Sequence, residues 1–173
     1  RLDYQKGFDR LVQAWELLQE NGTFHDWQLD IFGQGEWRGM LQQMIDGKRL
    51  QANTHICPPT KNIGTEYTHS SLLVMSSNYE GFPMVMIEAM ACGLPVVAFD
   101  FKCGPKDIIQ DGKNGLLVSN GDIQGLADAM MTLMGNEALR KRMGEKARKV
   151  ISTYSEETVM SQWIRLFTDL VGK

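Results

Sequence analysis

Two carboxylates, Glu80 and Glu88, stand eight residues apart on either side of a proline that suits the first turn of a helix. Free backbone amides of Met84 and Val85 are expected to point out of that helix start toward an anion. Glu88, one turn further in, is placed to accept hydrogen bonds from a vicinal diol such as a ribose, and Glu80 from hydroxyls of a second sugar. The pattern therefore fits a ligand with phosphate between two polyols. The alternative is that Glu80 only caps the helix and Glu88 is an ordinary exposed helical residue.

Cations occur at the very start of the chain. Arg1 and Lys6 are five residues apart across a predicted strand-to-helix loop, so both could reach one phosphate group. Two cations in so short a stretch are also common without any function. These residues alone therefore carry only a weak prediction.

A glycine pair, Gly33 and Gly35, follows a predicted strand and could let the backbone approach a phosphate. The third glycine of the dinucleotide fingerprint is absent, because Arg38 occupies its position. His55 and Cys57 stand where an acidic residue for a ribose would be expected. A plain tight turn is the better interpretation, and an oxidoreductase is disfavoured.

Composition indicates an ordinary soluble globular domain. The 173 residues are 43% hydrophobic and 23% charged, which allows one domain, residues 1–173, with a sizeable core. The net charge of −3 argues against a general nucleic-acid binder. No stretch resembles a signal peptide or a membrane span. The three cysteines, Cys57, Cys92 and Cys103, lack metal-ligand spacing and are expected to be free thiols in a reducing cytosol.

Strands alternate with helices along the chain. Leu72–Met75 and Leu94–Phe99 are continuous apolar runs, typical of strands buried on both faces. The first helix is predicted from an apolar stripe that begins at Phe8, and it should stop at Asn21-Gly22. Three helices should finish the chain, the last with Ser155 as its N-cap. The fold class predicted is α/β, a Rossmann-like parallel sheet flanked by helices.

The last predicted helix has its own apolar side. Val159, Trp163, Leu166 and Leu170 define it. Trp163 is expected in the core, although this side could instead face another domain.

The stretch around the two carboxylates resembles a known signature. Glu80-Gly81-Phe82-Pro83 with Glu88 to Val97 is similar to the E-x7-E motif of the retaining GT-B glycosyltransferases called group 1, or family 4. Arg1-Leu2 with Lys6-Gly7 resembles that family's G-R-L-x-x-x-K-G segment. Leu29–Gly35 and Asp111–Val118 resemble its next strand and its late turn. The resemblance runs nearly from end to end.

The resemblance implies a donor site. Its catalytic residues would be Arg1, Lys6 and Glu80, and its donor-binding residues Thr60, Gly81, Phe82, Pro83, Met84, Val85 and Glu88. The two cations would bind the diphosphate and stabilise the departing nucleoside diphosphate. Glu80 would hold the donor hexose and Glu88 the ribose, with the base beside the loop 57–61. The family needs no metal or other cofactor, and it retains anomeric configuration, by front-face attack assisted by the departing phosphate.

One segment departs from the family. This chain has Cys57-Pro58-Pro59 where members commonly have glycine, and proline offers no amide donor. Base recognition must then use carbonyls, Thr60 or packing. The segment Lys102–Ile109 resembles members that build cell-surface polysaccharides, often from UDP-sugars.

These resemblances predict the C-terminal, donor-binding half of a glycosyltransferase. The partners implied are a nucleoside diphosphate sugar, a glycan or lipid-linked acceptor, and an N-terminal acceptor domain in cis, with no nucleic acid. The expected location is cytoplasmic, at the inner face of the membrane, with which the full protein would associate peripherally. The 173-residue chain alone should bind nucleotide weakly and transfer no sugar. Two alternatives stay open, a sugar-nucleotide epimerase of the same fold and a non-catalytic nucleotide-binding module.

Overall fold

The computed structural model describes residues 1–20 and 22–172. Five strands alternate with helices in chain order. The strands are β1 Leu29–Phe32, β2 Thr54–Cys57, β3 Leu73–Met75, β4 Val96–Asp100 and β5 Gly115–Ser119. The α-helices are α1 Phe8–Glu20, α2 Arg38–Gly47, α3 Ile63–His69, α4 Met84–Ala91, α5 Pro105–Ile108, α6 Ile123–Met134, α7 Glu137–Ala147, α8 Ile151–Tyr154 and α9 Glu156–Val171. Short 3-10 turns cover Tyr4–Lys6 and Arg148–Val150.

All strand pairs are parallel, as predicted, but the described strands form two sheets rather than one. β1 pairs with β2, and β3, β4 and β5 form a second sheet in that order. The opening segment, residues 1–7, connects them. The Leu2 amide donates to the Gln34 carbonyl after β1 at 2.9 Å, and the Asn78 amide after β3 donates to the Gln5 carbonyl at 2.8 Å.

Gly35 makes the first of these contacts possible. A Cβ at this position would lie 2.3 Å from the carbonyl oxygen of Leu2, far inside van der Waals contact. Glycine is therefore required for the opening segment to run against the end of β1. The Leu2 side chain is fully buried and anchors this segment to the core.

The core forms at β4 and α1, where the hydrophobic pattern predicts it, whereas Leu73 and Val74 of the predicted buried strand β3 are only half-buried at the edge of the sheet. Val96, Val97, Ala98 and Phe99 of β4 are fully buried, since helices cover both faces of this central strand. The stripe of α1 packs against the core through Leu11, Val12, Trp15 and Leu18, all 3% exposed or less. The predicted stop of α1 falls partly on Asn21, which lies outside the described residues.

The C-terminal region differs from the prediction. The second of the three expected helices is divided into α7, a 3-10 turn and α8. The last helix, α9, begins after the predicted N-cap Ser155, whose hydroxyl accepts from the Thr158 amide at 3.2 Å. No residue of α9 is buried over its described length, and Trp163 is 49% exposed and stacked on Phe167. The expectation of a core position for Trp163 is therefore wrong, because α9 lies on the surface of this domain.

Within the described residues, each helix is too short or too polar to cross a lipid bilayer.

Candidate functional site

Glu80 lies in the loop between β3 and α4, at the carboxyl end of the sheet. Its Oε1 accepts hydrogen bonds from Lys6 Nζ at 2.7 Å and Ser77 Oγ at 2.8 Å. Its Oε2 accepts from Gln5 Nε2 at 3.0 Å. The Glu80 side chain is 7% exposed, so these three donors replace water around a nearly buried carboxylate. The N-cap residue of α4 is Pro83, and in the described part of the chain the hydrogen-bond donors to Glu80 all lie outside α4, so Glu80 is not a cap of this helix.

Gln5 also connects this carboxylate to Arg1. In the side-chain amide of Gln5, Oε1 accepts a hydrogen bond from Arg1 Nη2 at 3.1 Å, and Nε2 donates to Glu80. The orientation of the amide follows from its neighbours, since its oxygen faces a cation and its nitrogen an anion. Arg1 also pairs with Asp3 at 3.3 Å, and its side chain is 74% exposed. The two predicted cations therefore belong to one network, in which Gln5 and Glu80 lie between them.

The backbone around Lys6 is fixed by close packing on β3. Gly7 has φ +60, and a Cβ there would lie 2.2 Å from the Ser76 carbonyl oxygen. The Ser76 hydroxyl donates to the Lys6 carbonyl at 3.1 Å. These contacts bring the loop before α1 against the end of β3. As a result, the Lys6 side chain reaches the Glu80 loop.

The start of α4 differs from its predicted form. Pro83 immediately precedes the helix, with φ −84 and ψ 71, and the Met84 amide donates to the Phe82 carbonyl at 3.0 Å. This is an inverse γ-turn, so the Met84 amide is not free for an anion as predicted. Among the described residues, the Val85 amide has no hydrogen-bond acceptor. Gly104 lies directly beside Pro83, where a Cβ would be 2.5 Å from the ring.

Glu88 projects from the exposed side of α4, one turn beyond its start. Its Oε2 accepts from the Tyr67 hydroxyl at 3.3 Å. Tyr67 is 6% exposed, and burial together with the Glu88 charge raises the pKa of its hydroxyl. The tyrosine therefore stays a neutral donor to the carboxylate.

A cleft of about 330 Å³ lies between the loops that follow β1 and β2. Its lining comprises Arg1, Phe32, Gly33, Gln34, Pro59, Thr60 and Ile63. The Gly33 amide donates to the Cys57 carbonyl at 3.0 Å, which continues the pairing of β1 with β2 by one residue, so this amide is not free for a phosphate. The Thr60 hydroxyl oxygen accepts from the Asn62 amide at 3.0 Å. Arg1 lines this cleft and also belongs to the Glu80 network.

Three residues of this arrangement were missed by sequence reasoning: Gln5, Ser77 and Tyr67. Ser77 stands three residues before Glu80, a spacing that could have indicated a local hydrogen bond. Tyr67 and Gln5 carry no comparable local signal, because their partners are 21 and 75 residues away.

A parallel α/β fold with ionic side chains gathered at the carboxyl ends of its strands is typical of proteins that bind phosphorylated ligands. The family described as glycosyl transferases group 1 matches residues 1–150. The chain belongs to this family. The predicted fold class, half of a GT-B glycosyltransferase, is confirmed by its structural similarity to a member at 36% identity.

Two of the similar proteins are transferases named for polymers. The chain is 38% identical over its whole length to an exopolysaccharide phosphotransferase of Streptomyces coelicolor, of which it covers 18%. It is 37% identical to a poly(ribitol-phosphate) alpha-N-acetylglucosaminyltransferase of Staphylococcus aureus, with 94% of this chain and 33% of that protein covered. The chain thus spans at most about a third of the length of these two relatives.

A solved structure of Staphylococcus aureus TarM, a mutant in complex with fondaparinux, alpha-GlcNAc-glycerol and UDP, superposes with a TM-score of 0.91 at 36% identity. The match covers 96% of this chain and 34% of that one.

Proposed function

We propose that the chain is the donor-binding domain of a retaining glycosyltransferase. The full enzyme transfers a hexose from a nucleoside diphosphate sugar, with UDP-sugars favoured, to a glycan or lipid-linked acceptor in cell-surface polysaccharide synthesis. The observation that carries the proposal is the network of Lys6, Gln5 and Glu80 beside the start of α4, with Glu88 one turn further along. Membership of the family supports the reaction class. The UDP complex of the TarM structure supports the choice of nucleotide.

Each ionic group has a distinct role in this proposal. Lys6 and Arg1 bind the diphosphate and stabilise the negative charge that develops on the leaving group. A carboxylate has about four acceptor positions, and three donors already occupy Glu80, so about one remains for a hexose hydroxyl. Glu80 thus holds Lys6 in place as well as contacting the sugar. Glu88, exposed on α4, accepts from the ribose diol.

The phosphates approach the start of α4, beside Gly81 and Phe82. The Val85 amide is the donor available there. The Met84 side chain, which is 53% exposed, contributes by packing against the ligand. The Met84 amide could bind phosphate only after its hydrogen bond to the Phe82 carbonyl is broken. The helix N-terminus adds a favourable dipole for the anion.

The base occupies the cleft between the loops after β1 and β2. Pro59 and Ile63 supply apolar walls, and the Thr60 hydroxyl can donate to a base carbonyl while it accepts from Asn62. A donor hydroxyl at Thr60 suits a base that carries ring carbonyl oxygens, such as uracil, better than adenine, which has none.

The proposed partner in cis is an N-terminal acceptor domain that covers α9. Large apolar side chains stand 47% or more exposed along this helix: Met160, Trp163, Ile164, Leu166, Phe167, Leu170 and Val171. Such a stripe is typical of an interface. The helix bears three acidic residues and one basic residue, which disfavours an anionic membrane as its direct partner. A cytoplasmic location at the inner face of the membrane is proposed only for the full protein.

The proposal is tested by titrating UDP, GDP and ADP into the 173-residue chain and its Glu88→Ala variant. We expect weak binding that favours UDP, a loss of about ten-fold or more in Glu88→Ala, and no sugar transfer by this chain. Glu145→Ala, which removes an exposed glutamate of α7, is the matched control and should bind like the wild type. If no nucleotide binds, or if Glu88→Ala binds UDP as well as the wild type, the site assignment is wrong.

A further inference from the structure

Tyr67 of α3 is buried although its ring ends in a polar hydroxyl. It forms a small apolar cluster with Ala89 and Leu94, apart from the main core. Its hydroxyl lies 3.3 Å from Oε2 of Glu88, which is its hydrogen-bond partner in the described structure. A buried tyrosine hydroxyl is costly to leave without an acceptor, so this hydrogen bond fixes the ring as well as the carboxylate.

Glu88 needs such a partner if it is to bind a ligand with defined geometry. An exposed glutamate on a helix has several freely rotating side-chain bonds, and ordering them costs conformational entropy. The ring of Tyr67 is held by packing between α3 and α4, so its hydroxyl presents a fixed donor. A carboxylate oriented in advance loses less entropy when a diol binds.

We propose that Tyr67 is a positioning residue for recognition of the donor ribose, holding Oε2 of Glu88 so that Oε1 is free to accept from the diol. This inference rests on the proposed function of Glu88 and adds a residue outside the E-x7-E segment to the same site. Tyr67 does not contact the ligand in this account. Its effect on binding passes through Glu88 alone.

A purely structural role makes a different prediction. If Tyr67 only fills space between α3 and α4, phenylalanine should replace it with no effect on nucleotide recognition. If it positions Glu88, Tyr67→Phe should weaken binding of ligands that have a ribose diol and spare those that lack it. The variant removes one oxygen and retains the packed ring, which separates the two roles.

The test titrates UDP and 2′,3′-dideoxy-UDP into wild type, Tyr67→Phe and Glu88→Gln. We expect Tyr67→Phe to lose about three- to ten-fold in UDP affinity, the range for one ordinary hydrogen bond, because its effect passes through Glu88, and to bind the dideoxy nucleotide like the wild type. The matched control is Thr68→Val, which removes a hydroxyl of the same helix that donates to the Thr65 carbonyl. It should bind both nucleotides unchanged.

A double variant provides the second measurement. In the Glu88→Gln background, Tyr67→Phe should cause less loss of UDP affinity than in the wild type, since the carboxylate it orients is gone. Three outcomes would overturn the inference. Tyr67→Phe could reduce UDP affinity equally in the wild-type and Glu88→Gln backgrounds, reduce the affinity for both nucleotides equally, or leave the affinity for UDP unchanged. The failure of the proposed function is distinguishable. In that case the wild type itself binds no UDP, or Glu88→Gln binds it unchanged.

Discussion

Removing Lys6 should destabilise the domain through Glu80. The Lys6→Met variant keeps most of the aliphatic stem and deletes the ammonium that lies 2.7 Å from Oε1 of Glu80. Breaking a fully buried ion pair costs about 3–5 kcal/mol, and an exposed pair contributes about 0–1 kcal/mol. The Glu80 side chain is 7% exposed and the Lys6 side chain 24%, so the pair lies between these limits. We expect a loss of about 2 kcal/mol in the free energy of unfolding, partly offset because Ser77 and Gln5 still donate.

The assay is urea unfolding of four proteins: wild type, Lys6→Met, Glu80→Gln and the double variant. Glutamine keeps the shape of Glu80 and removes its charge, so Lys6→Met should cost less in that background. We expect a coupling free energy of about 1–2 kcal/mol. Lys141→Met is the control, since Lys141 pairs with Glu137 at 2.7 Å but both side chains are mostly exposed. It should unfold like the wild type.

Two results would contradict this coupling between Lys6 and Glu80. If the effects of Lys6→Met and Glu80→Gln on stability are additive, the ion pair does not hold the opening segment to the Glu80 loop. The same conclusion would follow if Lys6→Met were as stable as the wild type.

Three further outcomes follow from the packing and the charges. Gly35→Ala should cost more than about 2 kcal/mol in urea unfolding, because its Cβ would meet the Leu2 carbonyl at 2.3 Å. Gly39→Ala, with no atom within 4 Å of its Cβ in the first turn of α2, should instead stabilise by about 0.4–1 kcal/mol; equal effects of the two would contradict the structure. Burial raises the pKa of the Tyr67 hydroxyl in the folded state, so this tyrosine ionises first in the unfolded chain. The free energy of unfolding of the wild type should therefore fall as the pH rises above about 10, the ordinary tyrosine pKa. Tyr67→Phe should lose less over that range in alkaline thermal unfolding, and parallel losses would exclude Tyr67 as a cause. Trp163→Ser should leave the melting temperature of the 173-residue chain almost unchanged because the side chain is half exposed, whereas a fall of more than about 4 °C, roughly 1 kcal/mol, would show that α9 is packed.

Local patterns were sufficient to predict most of the fold. The apolar stripe of α1 and the continuous run of β4 depend on periodicity, which the sequence displays directly. Ser155 was predicted as a helix N-cap from its residue type, and it accepts from the backbone amide three residues later. These features involve neighbours in the chain.

Features that depend on distant partners were not predictable in this way. The donors around Glu80 include Gln5 and Lys6, which are more than 70 residues away, so their convergence is a property of the fold. The loss of the free Met84 amide depends on the backbone angles of Pro83, which residue type does not determine. For Trp163, the amphipathic pattern correctly indicated a helix with an apolar side. It could not indicate which surface that side faces.

In the proposed site Glu88 binds the ribose, and Lys6, held in place by Glu80, binds the diphosphate of the same nucleoside diphosphate. A crystal structure of the chain with UDP tests this most directly. We expect ribose hydroxyls within hydrogen-bond distance of Glu88, phosphate oxygens within reach of Lys6 and Arg1, and the uracil in the cleft beside Thr60. UDP bound elsewhere, or bound here with its ribose away from Glu88, would contradict it.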